Sequence, residues 1–336
     1  MNRAGPAPHK PDPHSPGSRP RVLVARPIFD EVLEQLSARF ELTHNQDDVP
    51  WTAEAWRAAL AAHEGVLTTP EERISAELLS TAPDLRIVAN MAVGYNNLDV
   101  AALKARGIVA THTPGVLTET TADMGMALLL AAARRVTEGE RFLRSGQWKS
   151  WRCDFFVGAE VHGSTLGLLG MGRIGQAIAR RAVHGFGMQL IYHNRSRLPQ
   201  DAEAALNARY VSKAELLRQA DHLMLVLPYS AETHHSIGAG ELALMKPSAT
   251  LINIARGGVV DDAALAGALA ERRLAAAGLD VFEGEPQVHP GLLSVPNVVL
   301  TPHIGSATRP TRLAMAQRAA DNLLAYFETG RAVTPI

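Results

Sequence analysis

The stretch Leu166-Gly167-Leu168-Leu169-Gly170-Met171-Gly172-Arg173-Ile174-Gly175 decides how this chain folds. Ser164 to Leu169 reads as a short buried strand and Arg173 to His184 as a helix, which places Gly170, Gly172 and Gly175 at the strand-to-helix turn. Bare backbone serves three purposes there: a tight turn, close approach of a diphosphate to the helix N-terminus, and close packing of helix on sheet. Gly170, Met171, Gly172, Arg173, Ile174 and Gly175 are therefore expected to cradle the pyrophosphate of a dinucleotide.

The following strand, Met188 to Tyr192, should end near the residue that meets the adenosine ribose, and an acid there would favour NAD. The chain instead reads Tyr192-His193-Asn194-Arg195-Ser196-Arg197, with no carboxylate before Asp201. Two guanidiniums, Arg195 and Arg197, and the Ser196 hydroxyl suit a 2'-phosphate, since arginine is forked and permanently charged, so Asn194, Arg195 and Ser196 are expected to favour NADP, as NADPH, with NAD a weaker substitute. The plainer reading is a solvated basic loop.

Working outward, short apolar strands alternate with amphipathic helices. Arg21 to Ala25, Gly65 to Thr68, Leu85 to Asn90 and Ile108 to Thr111 read as strands of a first α/β unit, with helices around Glu31 to Arg39, Ala53 to Ala62, Ser75 to Thr81 and Val100 to Arg106. A long apolar helix, roughly Thr118 to Arg135, and an irregular segment from Ser145 to His162 lead into the glycine-rich turn. Further strands are expected at His222 to Leu227, Thr250 to Ala255, Ala276 to Val281 and Asn297 to Leu300. The fold class is α/β, with two doubly wound parallel-sheet (Rossmann-like) domains and a cleft between them. Residues 21–114 and 306–336 should form a substrate domain and 115–305 the dinucleotide-binding domain. The final helix, about Thr308 to Thr329, would return to the first domain. Residues 1–20, with six prolines, read as a floppy tail without the apolar core of a secretory signal.

At 336 residues and 46% hydrophobic, the chain is long enough for two cores. With 33 basic and 34 acidic side chains it offers no broad basic field, so no nucleic-acid partner is expected. The longest apolar run, Met124 to Ala133, is too short to cross a bilayer, and a cytoplasmic protein is expected. The single cysteine, Cys153, excludes an internal disulfide and a cysteine-based zinc cluster and reads as a packing residue.

Open parallel sheets gather ligands at the carboxyl ends of their strands, where three segments carry unusual residues. They are Ile252-Asn253-Ile254-Ala255-Arg256-Gly257-Gly258, Leu279-Asp280-Val281-Phe282-Glu283-Gly284-Glu285-Pro286 and Leu300-Thr301-Pro302-His303-Ile304-Gly305-Ser306. Reduction of a 2-oxo acid needs hydride at carbon, a proton for the oxygen and a hold on the carboxylate. His303 is the natural acid, Glu285 would hold its ring and favour the charged form, and Arg256 would clamp the carboxylate and polarise the carbonyl. This chemistry needs no metal.

In order, these motifs resemble the D-isomer-specific 2-hydroxyacid dehydrogenases. The resemblance spans nearly everything from Arg21 onward and includes Val93-Gly94-Tyr95-Asn96-Asn97-Leu98-Asp99 and Thr121-Ala122-Asp123. Within the family, Thr113-Pro114-Gly115-Val116-Leu117-Thr118-Glu119-Thr120, the Asn194 to Arg197 loop and Pro302 to Thr308 look most like the NADPH-preferring glyoxylate/hydroxypyruvate reductases that also act on 2-ketogluconate. The resemblance implies that Arg256, Glu285 and His303 are catalytic, that the amides of Val93 and Gly94 hold the substrate carboxylate, and that Leu67 lines the same pocket. It further implies that Asp280 orients the nicotinamide amide, and that Thr121, Pro228, Thr233 and Ala255 touch the cofactor. Asn96 stands where many relatives carry aspartate. A homodimer is implied through Thr118 to Arg135 and Ser145 to His162, with Trp148 or Trp151 either approaching the partner's active site or, on the plainer reading, buried as an interface anchor. Two other readings stay open: a redox-sensing binding protein of the same fold, and formate or phosphite oxidation. A formate enzyme would be expected to pair its histidine with glutamine, not glutamate.

Overall fold

The computed structural model describes residues 19–336, so the tail expected over residues 1–20 lies, except for Arg19 and Pro20, outside the described residues. The chain divides into two units: one runs to Pro114 and resumes over Leu313–Ile336, and the other spans Gly115–Arg312. The changeover falls inside the helix Arg309–Thr329.

The first unit carries β1 (Arg21–Val24), β2 (Glu41–His44), β3 (Gly65–Thr68), β4 (Ile87–Asn90) and β5 (Val109–Thr111). They form one parallel sheet in the order β2-β1-β3-β4-β5. The inner strands β3 and β4 are buried along their whole length, as a sheet covered on both faces requires. Gly65 lets the helix Arg309–Thr329 close on β3, because a Cβ there would stand 3.0 Å from Phe327 and 3.2 Å from Leu323. Strand β2 does not appear in the sequence reading. It is an edge strand with one neighbour, and Glu41, Thr43 and His44 are exposed, so no apolar run announces it.

The second unit carries β6 (Thr165–Leu169), β7 (Gln189–His193), β8 (Ala208–Tyr210), β9 (His222–Leu225), β10 (Thr250–Asn253), β11 (Ala276–Leu279) and β12 (Val298–Leu300). These seven are parallel, in the order β12-β11-β10-β9-β6-β7-β8. The chain builds outward from β6 to β8, then returns to lay β9 on the other side of β6. That reversal puts a crevice at the carboxyl ends of β6 and β9, the usual ligand position in an open α/β sheet. Edge strand β8 was also missed, for the same reason as β2.

The helix Thr118–Ala133 packs on this sheet through small residues. A Cβ on Gly125 would lie 3.0 Å from both Ile254 and Met224, and one on Gly278 would lie 3.1 Å from Leu128. Leu128 and Leu129 are almost wholly buried, and each such side chain contributes about 1.5–3 kcal/mol of burial. Cys153 corrects the sequence reading: it is exposed and packs no core. No helix among the described residues is long and apolar enough to cross a membrane.

Candidate active site

The three glycines of the turn after β6 have separate roles. Gly170 has φ +104°, and a Cβ there would collide with the Val226 carbonyl at 2.5 Å, so only glycine lets the turn pass the end of β9. A Cβ on Gly175 would stand 2.4 Å from the Gly170 carbonyl, which explains the close seating of the helix Arg173–Phe186. Beside Gly172, by contrast, a Cβ would meet nothing within 4 Å. That helix has no side-chain cap, and the N–H groups of Gly172, Arg173 and Ile174 have no acceptor among the described residues. Open space facing uncapped amides fits a dinucleotide's diphosphate.

The β7 end is tied to this turn. The Met171 N–H donates to Asn194 Oδ1 at 2.7 Å, and Gly170 N–H donates to the His193 carbonyl at 3.0 Å. Arg195 and Ser196 follow Asn194 at the surface. Arg197 is engaged elsewhere: its Nε and Nη2 donate to Glu203 at 2.8 and 2.7 Å, and Tyr192 Oη donates to the same carboxylate at 2.6 Å. The Arg197 hydrogen bond, followed by that of Tyr192, holds the Glu203 carboxyl below its ordinary range. Burial, with Glu203 alongside, pushes the Tyr192 hydroxyl up to about 12. Of the two guanidiniums in the loop, Arg195 is thus the one not committed to an internal fork. Its charge also helps to keep the Glu232 carboxyl low, after the larger effect of the Ser230 hydroxyl.

Beyond β10, the buried Asn253 shapes the arginine segment. Its Oδ1 accepts from Ala255 N–H at 3.0 Å and its Nδ2 donates to the Arg256 carbonyl at 3.2 Å. Arg256 Nη1 donates to the Ala255 carbonyl at 2.7 Å. Burial lowers the guanidinium's affinity for its proton, and the Glu285 charge opposes this. Gly257 lies so close to the segment after β11 that a Cβ would fall 1.7 Å from the Phe282 carbonyl oxygen. The Arg256 and Glu285 segments are therefore pressed together by the absence of a side chain.

Glu285 is held by Phe282 N–H, which donates to Oε1 at 2.8 Å, and its Oε2 lies 2.8 Å from His303 Nδ1. Burial alone would raise the Glu285 carboxyl. The His303 hydrogen bond and charge, the Phe282 N–H and Arg256 together outweigh it, and the group stays below its ordinary value. His303 has φ 51°, an unusual left-handed conformation for a residue with a side chain. Asp280 holds the segment around it: Oδ1 accepts from Thr301 Oγ1 at 2.6 Å and Ile304 N–H at 2.8 Å, and Oδ2 from Gly305 N–H at 2.7 Å. With Nδ1 on Glu285, His303 Nε2 has no partner among the described residues. A base held at one nitrogen and open at the other can deliver or collect a proton there.

Thr121 lies beside the same loop, since a Cβ on Gly305 would come within 3.6 Å of its Cγ2. Thr233 fastens its own turn, accepting from Ser230 N–H at 2.7 Å and donating to the Pro228 carbonyl at 2.9 Å. Ala255 is buried. The structure thus brings Arg256, Asp280, Glu285, His303 and Thr121 to neighbouring strand ends of one unit. Asn253, which positions Arg256, was missed. Its signal was an asparagine inside an apolar strand, where a buried amide must find backbone partners.

Val93, Gly94 and Leu67 belong to the other unit. Leu67 in β3 is fully buried. The Gly94 carbonyl accepts from Asn90 Nδ2 at 3.1 Å, and the Val93 carbonyl lies 3.1 Å from His112 Nδ1. The N–H groups of Val93 and Gly94 have no acceptor among the described residues, which leaves adjacent donors suited to an anion.

The pattern of the D-isomer specific 2-hydroxyacid dehydrogenase NAD binding domain matches residues 126–305. A glyoxylate reductase of Thermococcus onnurineus is 47% identical over 312 residues, covering 92% of this chain and 93% of the relative. Glyoxylate/hydroxypyruvate reductase B of Klebsiella pneumoniae is 48% identical over 308 residues, covering 91% of this chain and 94% of that protein. Among solved structures, the NADPH-dependent glyoxylate/hydroxypyruvate reductase of Sinorhizobium meliloti in complex with NADP and malonate is 40% identical with a TM-score of 0.82, covering 95% of this chain and 97% of that one. With a glycine turn fit for a dinucleotide and a Glu285–His303 pair beside a half-buried arginine, this chain belongs to the D-isomer-specific 2-hydroxyacid dehydrogenases, a family of NAD(P)-dependent oxidoreductases.

Proposed function

We propose that this protein catalyses NADPH-dependent reduction of small 2-oxo acids, namely glyoxylate, hydroxypyruvate and 2-ketogluconate, to (R)-2-hydroxy acids, with His303 as proton donor. The observation that carries this reading is the 2.8 Å hydrogen bond that His303 Nδ1 makes to Glu285, which leaves Nε2 open. The names of the relatives from Thermococcus, Klebsiella and Sinorhizobium support the substrate class, and the last supports the cofactor.

A reduced nicotinamide, when bound, supplies the hydride. Gly170, Met171, Gly172, Arg173, Ile174 and Gly175 hold its diphosphate; Asn194, Arg195 and Ser196 hold the 2'-phosphate. Thr121, Pro228, Thr233, Ala255 and Asp280 complete the cofactor's surroundings. Arg256 and the amides of Val93 and Gly94 bind the substrate carboxylate, whereas Leu67, fully buried in β3, does not line that pocket as the sequence reading expected. Negative charge growing on the carbonyl oxygen is met by the Arg256 guanidinium and quenched by a proton from His303 Nε2. Glu285 fixes the ring and stabilises its cationic form, as a neighbouring carboxylate does in general. The protein acts in the cytoplasm as a homodimer, and the exposed Trp148 and Trp151 suit a surface covered by a second copy.

The test is a steady-state panel of glyoxylate, hydroxypyruvate, pyruvate and 2-ketogluconate with NADPH and with NADH, following the near-ultraviolet absorbance of the reduced cofactor. Oxidation of NADPH that depends on 2-oxo acid supports the assignment. No turnover with any of the four acids overturns it.

A further inference from the structure

Away from the residues assigned to hydride and proton transfer, two adjacent imidazoles and a carboxylate meet at the loops following β9, β10 and β11. His235 Nε2 lies 2.8 Å from Glu283 Oε2. The His234 and His235 rings stack at 3.9 Å between centroids, with planes inclined by 22°. One ligand atom from each of His234, His235 and Glu283 falls within 4.8 Å of the others.

The backbone fixes this arrangement from several directions. His235 adopts φ 48°, and its N–H donates to the Gly258 carbonyl at 2.7 Å; His234 N–H donates to the Ser230 carbonyl at 2.9 Å. Tyr229 Oη lies 3.2 Å from His234 Nδ1. A partner on one ring nitrogen is how a metal-binding histidine is commonly oriented, since it sets which nitrogen keeps its lone pair. Glu283 is anchored through its own N–H, which donates to Asp262 Oδ2 at 3.0 Å. The side chains of His235 and Glu283 remain 37% and 43% exposed, so an ion can reach them from solvent.

We propose that His234, His235 and Glu283 form a binding site for a divalent transition-metal ion, with Zn2+ the best match to two imidazoles and one carboxylate. Zinc takes nitrogen at about 2.0–2.1 Å and carboxylate oxygen at about 2.0–2.2 Å, with water completing a four-coordinate shell when the protein gives three ligands. Binding replaces the proton between His235 and Glu283 and opens that contact by roughly half an ångström, a side-chain adjustment at an accessible pair. The ion then ties the loop after β9 to the loop after β11, the loop that also carries Glu285. It takes no part in hydride or proton transfer.

Chelator-treated full-length protein, without nucleotide, should be titrated with Zn2+ by calorimetry and with Co2+ by visible absorption. One equivalent of Zn2+, and a Co2+ d–d spectrum of a low-coordinate site, are expected. His235→Ala and Glu283→Gln should each weaken binding at least about tenfold, and Tyr229→Phe by roughly tenfold, whereas His184→Ala, on the exposed surface of the helix Arg173–Phe186, should change nothing. Glu283→Gln keeps the side chain's shape, so its effect is read on a folded protein even if His235→Ala lowers Tm. Failure of the wild type to bind one equivalent, or Glu283→Gln binding Zn2+ as tightly as wild type, overturns the proposal.

Discussion

Glu285 and His303, 18 residues apart in sequence, share a 2.8 Å hydrogen bond that leaves one imidazole nitrogen open. The pair is assembled by backbone on both sides: the Phe282 N–H holds the carboxylate, and Asp280 holds the segment on which the histidine sits. If His303 supplies the proton, its replacement should damage the chemical step and spare nucleotide binding. His303→Ala is expected to lower kcat by about 10²–10⁴-fold, with an unchanged Kd for NADPH by fluorescence titration. A variant that turns over as fast as wild type removes His303 from the mechanism.

The same pair sets a pH dependence of stability. The folded Glu285 carboxyl lies below its ordinary value of 4.5, because the partners gained on folding outweigh burial. The unfolded chain therefore binds this proton more readily, and the stabilisation is fully present above about 4.5, then lost as pH falls through the lower folded value. Glu285→Gln should lower Tm near neutrality, and the gap from wild type should shrink as the buffer is taken below pH 4.5. A gap that stays constant down to the acid limit of folding would show that the charge is not what the site uses.

Gly257 offers a test of how the Arg256 segment is seated. A Cβ would fall 1.7 Å from the Phe282 carbonyl oxygen, and this neighbour is backbone, which cannot rotate away. Gly257→Ala must push the segment bearing Glu285 off its position, at a cost of about 2–4 kcal/mol. Denaturant unfolding should show that loss together with a collapse of kcat/KM. Gly172→Ala, with nothing within 4 Å of the added carbon, should keep its stability and lose nucleotide affinity.

Much of this was legible in the sequence because buried parallel strands are apolar along their length. At β6, β9, β10 and β11 a short apolar centre stands out, with His222 opening β9 and Thr250 and Asn253 bounding β10, and the glycine spacing fixes the turn after β6. The edge strands β2 and β8 were not legible: with one neighbour and solvent alongside, their residues carry no such signal. Arg256, Glu285 and His303 could be picked out as polar residues at strand ends. In the sequence Asp280 stands out only as a cofactor contact and Asn253 does not stand out; that both hold these segments, largely through backbone groups, is visible only after folding. Likewise, Arg195 and Arg197 look equivalent in the sequence, and only the fold shows that Glu203 claims the second.

That difference between the two arginines leads to a prediction about cofactor choice. Arg197 is forked onto Glu203, so a 2'-phosphate would depend chiefly on Arg195, whose charge is shared with Glu232. Arg195→Asp places a carboxylate where the phosphate would lie and should shift selectivity from NADPH towards NADH; a loss of one charge-assisted hydrogen bond, about 1.5–3 kcal/mol, corresponds to roughly 10–150-fold in the ratio of kcat/KM values. Glu232→Gln should act oppositely, because it removes a negative charge that competes for Arg195 and repels the phosphate. Its effect should fade in high salt, as expected for exposed charges. Selectivity unchanged in Arg195→Asp would mean that other groups read the 2'-phosphate, and Glu232→Gln would then also be silent.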